Sequence, residues 1–228
     1  MTLALFDLDN TLLAGDSDHL WGQFLESRGV VDADEHRALN ERFYREYQRG
    51  ELDINAFLQF ALRPLADNDP SELERWRSEF VSDWLEPCIA PAARTLVAHH
   101  RDQGHTLVTI TATNRFITEA IVERLGIPNL LATEPEISGG RFTGRHVGTP
   151  TFREGKITAL EHWRAVHGET MAGSWFYSDS INDLPLLRQV TNPVVVDPDP
   201  ELAATARNAG WRAITLRAGE HPMPLDDG

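Results

Sequence analysis

From about residue 91 onward the chain alternates short apolar runs rich in β-branched residues with stretches of helical spacing, and that rhythm leaves few folds open. It predicts strands at 105–111 (HTLVTIT), near 129–132, at 174–178 (SWFYS), at 193–196 and near 212–216. Helices fall between them at about 91–103, 114–125, 155–167, 183–189 and 199–209, with Gly104 and Gly126 as stops. Strand, helix, strand in repetition builds a parallel sheet covered on both faces. Residues 2–6 (TLALF) form a short run without polar alternation and read as a first buried strand of that sheet. Ile137 and Phe142 flank Gly139-Gly140 as in a hairpin.

The stretch from about 13 to 88 has no strand signal. Leu20, Trp21, Phe24 and Leu25 sit at helical spacing, as do Leu73, Trp76, Phe80 and Trp84. Gly29, Gly50 and the Pro64 to Pro70 stretch divide this block into about four helices. The expected fold class is α/β, a doubly wound parallel sheet with an all-helical cap inserted after the first strand. The expected division is a core of 1–12 and 89–216, a cap of 13–88, and a loose C-terminal tail of 217–228 carrying Pro222 and Pro224.

Composition closes several function classes. The formal net charge of −14 disfavours nucleic acid and anionic membrane surfaces as partners. Cys88 is the single cysteine, so no intrachain disulfide or cysteine metal cluster is possible, which fits a reducing cytoplasm. Met1 to Leu5 carries no basic run, and no apolar run approaches the ~18 residues of a membrane span. The nine histidines show no tight ligand spacing, which argues against a histidine zinc site. Of the 21 basic residues only Lys156 is a lysine, which turns a composition count into a question about one position.

In open α/β sheets ligands bind beyond the carboxyl ends of the strands. The first predicted strand delivers Asp7-Leu8-Asp9-Asn10-Thr11 there, the second Thr111-Ala112-Thr113-Asn114, and the strand at 174–178 delivers Ser178-Asp179-Ser180-Ile181-Asn182-Asp183. Lys156 opens the helix that follows the hairpin. Crowded carboxylates repel one another and imply a bound cation, and an all-oxygen set points to Mg²⁺. A carboxylate beside Mg²⁺ suits phosphoryl transfer, with Asp7 as nucleophile and Asp9 as proton donor and later base.

These residues resemble the haloacid dehalogenase superfamily, and within it the phosphoserine-phosphatase-like subclass, whose Rossmann-like core carries a helical cap between its first two motifs. DLDNTL at 7–12 looks like the first motif, Thr111 the second, Lys156 in REGK the third, and SDSINDLPLL at 178–187 the fourth. The resemblance implies Asp7 as nucleophile, Asp9 as acid/base, Thr111 on the phosphate and Lys156 on the anion. It implies Mg²⁺ held by Asp7, Asp179 and the main-chain carbonyl of Asp9, with Asp183 and Asn182 in support. Thr113 competes with Thr111 for the phosphate, and Thr111 is favoured because Thr113 is then placed to cap the next helix.

The substrate expected is a small phosphate ester chosen by the cap. In the resembling phosphoserine phosphatases a cap acid takes the substrate amine and a cap arginine its carboxylate. The acidic position falls on Asp16, whose plain alternative, shared with Asp18, is an N-cap of the first cap helix; the arginine position falls on Ala61, with Arg63 as a possible replacement in a shifted register. A cationic ester without a carboxylate fits better, so histidinol phosphate leads and phosphoserine is second. A phosphotransferase needs the same residues. A dehalogenase needs neither the Asp9 proton nor metal, and a phosphate-storing receiver module is about half this length.

Overall fold

The computed structural model describes residues 2–225 and contains one eight-stranded sheet. The strands are β1 (Leu3–Phe6), β2 (Thr106–Asn114), β3 (Asn129–Ser138), β4 (Arg141–Val147), β5 (Trp175–Ser178), β6 (Asn192–Val196), β7 (Arg212–Thr215) and β8 (Met223–Pro224). Their spatial order is β4-β3-β2-β1-β5-β6-β7-β8. The six inner strands are parallel and the two edge strands antiparallel. From β1 the chain first steps outward through β2 and β3, then returns to the other side of β1 with β5. The β1/β5 junction is therefore the switch point where such sheets open a crevice.

The helices are α1 (Ser17–Ser27), α2 (Ala33–Gln48), α3 (Ile54–Asp67), α4 (Pro70–Phe80), α5 (Pro91–Asp102), α6 (Arg115–Leu125), α7 (Glu154–His167), α8 (Leu184–Leu187) and α9 (Pro200–Ala209). Alternation along the strands sorts the core. Ala4, Phe6 and Tyr177 pack with Leu96 and Val97 of α5 and Ile117 and Ile121 of α6. Leu3, Leu5 and Phe176 pack on the opposite face with Leu160, Leu186 and Leu202 from α7, α8 and α9.

Helices α1 to α4 lie between Leu13 and Ile89, which pair as an antiparallel bridge, and Ala14 N–H donates to Cys88 O at 2.8 Å. The inserted stretch thus leaves and rejoins the sheet at one place. Its apolar residues, Trp21, Phe24, Leu58, Leu62 and Phe80 among them, run into the same buried cluster as Phe6. The insertion is a unit of chain order and shares its apolar interior with the sheet. A smaller cluster of Phe43, Leu52 and Phe152 joins α2 and the α2–α3 turn to the loop before α7.

Several expected boundaries moved. The strand near 129–132 extends to Ser138 and pairs Ile137 with Phe142 across the Gly139-Gly140 turn, because the hairpin leans on α3, with Gly144 close to Ala66. Pro64 does not break its helix, which continues to Asp67; the break comes at Asp69, whose carboxylate caps α4 with Pro70 in its first turn. The helix expected at 183–189 is one turn, Leu184–Leu187, preceded by a tight turn at Ile181–Asp183. The tail expected to be loose is anchored over 217–225. Arg217 donates to the carbonyls of Asn10, Thr11 and Leu13, and Met223–Pro224 pairs with β7, while 226–228 lie outside the described residues.

On the buried face of α5, His100 faces the Tyr177 hydroxyl at 2.7 Å and the His105 ring nitrogen at 2.7 Å. Burial pushes His100 down to about 4, and the charges of His105 and His99 add to the effect. An unfolded imidazole takes its proton near 6.5, so the folded protein binds fewer protons between about 4 and 6.5 and loses stability as pH falls through that window. The urea midpoint is expected to drop by several tenths of a molar from pH 7 to pH 4.5. A His100→Gln variant should flatten that dependence, and an unchanged slope would show that His100 does not carry it.

Candidate active site

The chain leaves β1 at Asp7 and enters a compact loop, Leu8–Leu12, in which Asp9 is extended and Asn10 takes φ +54°. Asn10 N–H donates to Gly15 O at 2.9 Å, and Arg217 holds the outer carbonyls of the turn. This winding turns the side chains of Asp7, Asp9 and Thr11 into the interior, where all three are buried.

Lys156 reaches the same point from the first turn of α7. Its Nζ lies 2.7 Å from Asp7 Oδ1 and 2.7 Å from the Asp183 carboxylate, and only 2% of the residue is exposed. The approach depends on Gly155: a Cβ there would lie 1.9 Å from Pro150 O. Burial works against the ammonium, but the charges of Asp183 and Asp7 outweigh it and hold Lys156 above the usual lysine range. Asp183 also accepts from Ser178 Oγ at 2.7 Å.

Asp179 sits on the other side of Asp7. Thr11 Oγ1 lies 2.8 Å from Asp179 Oδ1 and 3.4 Å from Asp7 Oδ2, so it spans the gap between the two carboxylates. Asp179 N–H donates back to Thr11 Oγ1 at 3.1 Å. Burial pushes Asp7 up to about 7 against the pull of Lys156, with the charges of Asp183 and Asp9 adding to the rise. Burial, then the charge of Asp7, holds Asp179 well above the usual carboxylate range. Two buried carboxylates destabilised in this way would be relieved by a cation placed between them. Among the described residues no group of three or more His, Cys, Asp and Glu side chains is arranged to hold a metal. Two carboxylates, an all-oxygen pair, suit Mg²⁺, which keeps several waters, better than Zn²⁺.

Asp9 faces the cap. Its Oδ1 accepts from Ser17 N–H at 2.7 Å, and its Oδ2 accepts from Thr113 Oγ1 at 2.8 Å and Thr111 Oγ1 at 3.2 Å. Both threonines therefore reach the site. Thr113 does not cap α6; Asn114 does, accepting from Ile117 N–H at 3.3 Å, because β2 continues to Asn114 through an irregular register against β3. Asn182 does not touch the carboxylates. Its side chain bonds Arg153 and the carbonyl of Tyr47.

A cavity opens above these groups, lined by Asp7, Asp9, Thr111 and Thr113 from the sheet side and by cap residues including Asp16, Asp18, His19, Tyr44 and Tyr47. Asp16 is the N-cap of α1, accepting from His19 N–H at 2.8 Å, and it also lines the cavity, so both readings of that residue hold in part. Burial and the charge of Asp9 push Asp16 up to about 7; burial and the charges of Asp16 and Asp9 hold Asp18 well above its usual range. No Arg or Lys is among the lining residues. Ala61 is not among them either, and Arg63 is exposed and paired with Asp67 at 3.3 Å. The alternative register that would bring Arg63 to the substrate is not adopted.

Sequence reasoning gave no role to Thr11, Ser178, Arg153 or Arg217. Thr11 and Ser178 were legible as polar residues at the ends of β1 and β5; nothing in the pattern pointed to the two arginines.

The haloacid dehalogenase-like hydrolase family matches residues 4–188. A histidinol-phosphatase of Neisseria meningitidis is 48% identical, the alignment covering 94% of this chain and 99% of that one. A phosphoserine phosphatase of Mycobacterium tuberculosis is 31% identical over 94% of this chain and 70% of its own length. A crystal structure of a Bordetella pertussis protein of unknown function superposes with a TM-score of 0.89 at 42% identity, covering 95% of this chain and 100% of that one. No described helix is long and apolar enough to cross a membrane. With four motifs meeting at one sheet edge and a family match over most of its length, the chain belongs to the haloacid dehalogenase-like hydrolases and is a phosphatase of that family.

Proposed function

We propose that the protein hydrolyses histidinol phosphate, using Mg²⁺ and an aspartyl-phosphate formed on Asp7. The observation that carries the substrate is the cavity: Asp16 and Asp18 line it without an Arg or Lys among the lining residues, so it favours positive charge on the alcohol part of the ester and leaves a carboxylate unpartnered. The Neisseria meningitidis relative bears the name of that activity. Phosphoserine is the second reading, carried by the Mycobacterium tuberculosis relative.

In the first step an Asp7 oxygen attacks phosphorus, the bond from phosphorus to the ester oxygen breaks, and Asp9 gives its proton to the leaving alkoxide. In the second, Asp9 takes a proton from water, which attacks the same phosphorus and returns Asp7 and free phosphate. Thr111 and Thr113 each have one hydroxyl proton, and both point at Asp9 Oδ2. An arriving phosphoryl oxygen competes for the Thr111 proton, and release of that bond leaves Asp9 free to carry its own. Lys156, fixed by Asp183, keeps its charge beside Asp7 throughout. Mg²⁺, held by Asp7, Asp179 and the Asp9 carbonyl, would offset the charge of carboxylates and phosphoryl oxygens together.

Phosphate release from histidinol phosphate and from phosphoserine, each with Mg²⁺ and with excess chelator, tests the reading. Histidinol phosphate should be preferred by tenfold or more in kcat/KM, with loss of turnover on chelation. Asp16→Asn preserves the cap of α1 and is expected to raise KM for histidinol phosphate by about tenfold with little change in Tm. A preference for phosphoserine would sink the argument from the cavity.

A further inference from the structure

The turn after α2 takes up the last carbonyls of that helix, with Gly50 N–H on Tyr47 O at 2.9 Å and Glu51 N–H on Glu46 O at 2.8 Å, and it lies against the sheet-side loops. Gly50 closes that turn at φ +66°. Arg153 Nη2 donates to Gly50 O, and Arg153 Nε donates to Asn182 Oδ1 at 3.0 Å. Asn182 Nδ2 in turn donates to Tyr47 O at 3.2 Å. A guanidinium and an amide from two core loops therefore hold the end of α2 and the turn that follows it, where the helix dipole also favours a cation.

Arg153 is held for this task at a strained position. It has φ +50° and ψ −119° and precedes α7, so its main chain sits three residues before Lys156. Its neighbour Phe152 enters the apolar cluster with Phe43 and Leu52 of the cap. Asn182 stands next to Asp183, which holds Lys156. Tyr47, whose carbonyl is the acceptor, lines the cavity, and burial, then the charges of Asp179 and Asp7, hold its phenol well above the usual range.

We propose that Arg153 is a positioning residue that latches the end of α2 to the Asn182 loop, so that the cap stays closed with Tyr47 over Asp7 and Asp179. The latch acts on retention of the ester by the cap and leaves bond breaking to the carboxylates. This rests on the proposed phosphatase chemistry for its kinetic consequence, and on structure alone for its effect on the cap.

Two measurements on the full chain test it. Hydrogen exchange on wild type, Arg153→Ala and Arg153→Lys should show exchange in 47–54 accelerated at least tenfold in Arg153→Ala, with little change in α5 and α9. Arg153→Lys, which offers no planar fork, should lie between. In turnover, Arg153→Ala should raise KM for the best alcohol ester at least tenfold with kcat within threefold, and should leave acetyl phosphate, which has no alcohol part for the cap to hold, within threefold in kcat/KM. Unchanged exchange at 47–54 overturns the latch, whatever the substrate proves to be. So does acceleration spread evenly over the chain, or an equal loss on both phosphate donors, since each marks a merely structural residue. If no ester is turned over by wild type, the phosphatase reading fails and the exchange result still decides the latch.

Discussion

Asp7→Asn is expected to lower phosphate release by about four orders of magnitude or more while leaving the fold intact. The amide has the shape of the carboxylate but is no nucleophile toward phosphorus at neutral pH. The protein does not need the charge for folding: Lys156 keeps Asp183 as its partner at 2.7 Å, and Asp7 itself is destabilised by burial in its charged form. The sign of the stability change follows from that. With Asp7 raised from 3.8 to about 7, the folded metal-free protein binds more protons than the unfolded chain across that interval, so the favourable contribution present at low pH is lost as pH rises toward 7 and above. Asparagine does not titrate. In chelator at pH 8 the variant should therefore melt at or above the wild-type temperature, and the difference should shrink toward pH 4. Phosphate release and thermal melts on the same preparations read both results. Activity within tenfold of wild type would remove the covalent route through Asp7, and a lower melting temperature at pH 8 would show that the Lys156–Asp7 pair stabilises more than its burial costs.

The sheet was legible because parallel strands buried on both faces write continuous apolar runs, as TLALF and SWFYS do, and because glycines end the crossover helices at 126 and 168. What the runs do not encode is where a strand leaves the apolar interior. β3 and β2 both run past their apolar segments, β3 into a half-exposed hairpin resting on α3 and β2 up to the Asn114 cap. Pro64 misled for a related reason. A proline removes one helical donor, but burial of Leu62 and Leu65 on either side keeps α3 whole.

The site was legible where chemistry restricts residue type. Carboxylates at the ends of β1 and β5 and a single lysine are hard to place elsewhere, and the structure brings Asp7, Lys156, Asp179 and Asp183 together. Side chains that bond main-chain carbonyls left no such trace. Arg217 lies far from Asn10 in sequence and Arg153 lies far from Gly50, and a carbonyl acceptor is the same at every residue, so no pattern of side chains could announce either contact. Asn182 belongs to this class as well: its place in SDSINDLPLL suggested a supporting role at the site, and its amide bonds Arg153, the Tyr47 carbonyl and Ser180 Oγ.

Lys156→Arg is expected to cost about a hundredfold to a thousandfold in kcat/KM even though it conserves charge. The ammonium is a compact donor, buried to 2%, placed 2.7 Å from Asp7 Oδ1 and from the Asp183 carboxylate at once. The first turn of α7 cannot retreat to make room, because at Gly155 even a Cβ would collide with Pro150 O. A longer, planar guanidinium must therefore push into Asp7 or turn its fork onto one carboxylate. Either response moves the nucleophile, and an overpacked buried site typically loses about 1–3 kcal/mol besides, or roughly 2–10 °C in Tm for a chain of this size. Lys156→Met separates charge from shape. It leaves Asp7 and Asp183 buried without their cation, a loss of about 3–5 kcal/mol, and Mg²⁺ should recover part of that stability without recovering turnover, since Asp7 and Asp179 would hold the metal whereas the lost donor lies between Asp7 and Asp183. Near-normal turnover by Lys156→Arg would mean that any positive charge beside Asp7 suffices, and the solitary lysine of an arginine-rich chain would then owe its position to something other than the shape of its ammonium.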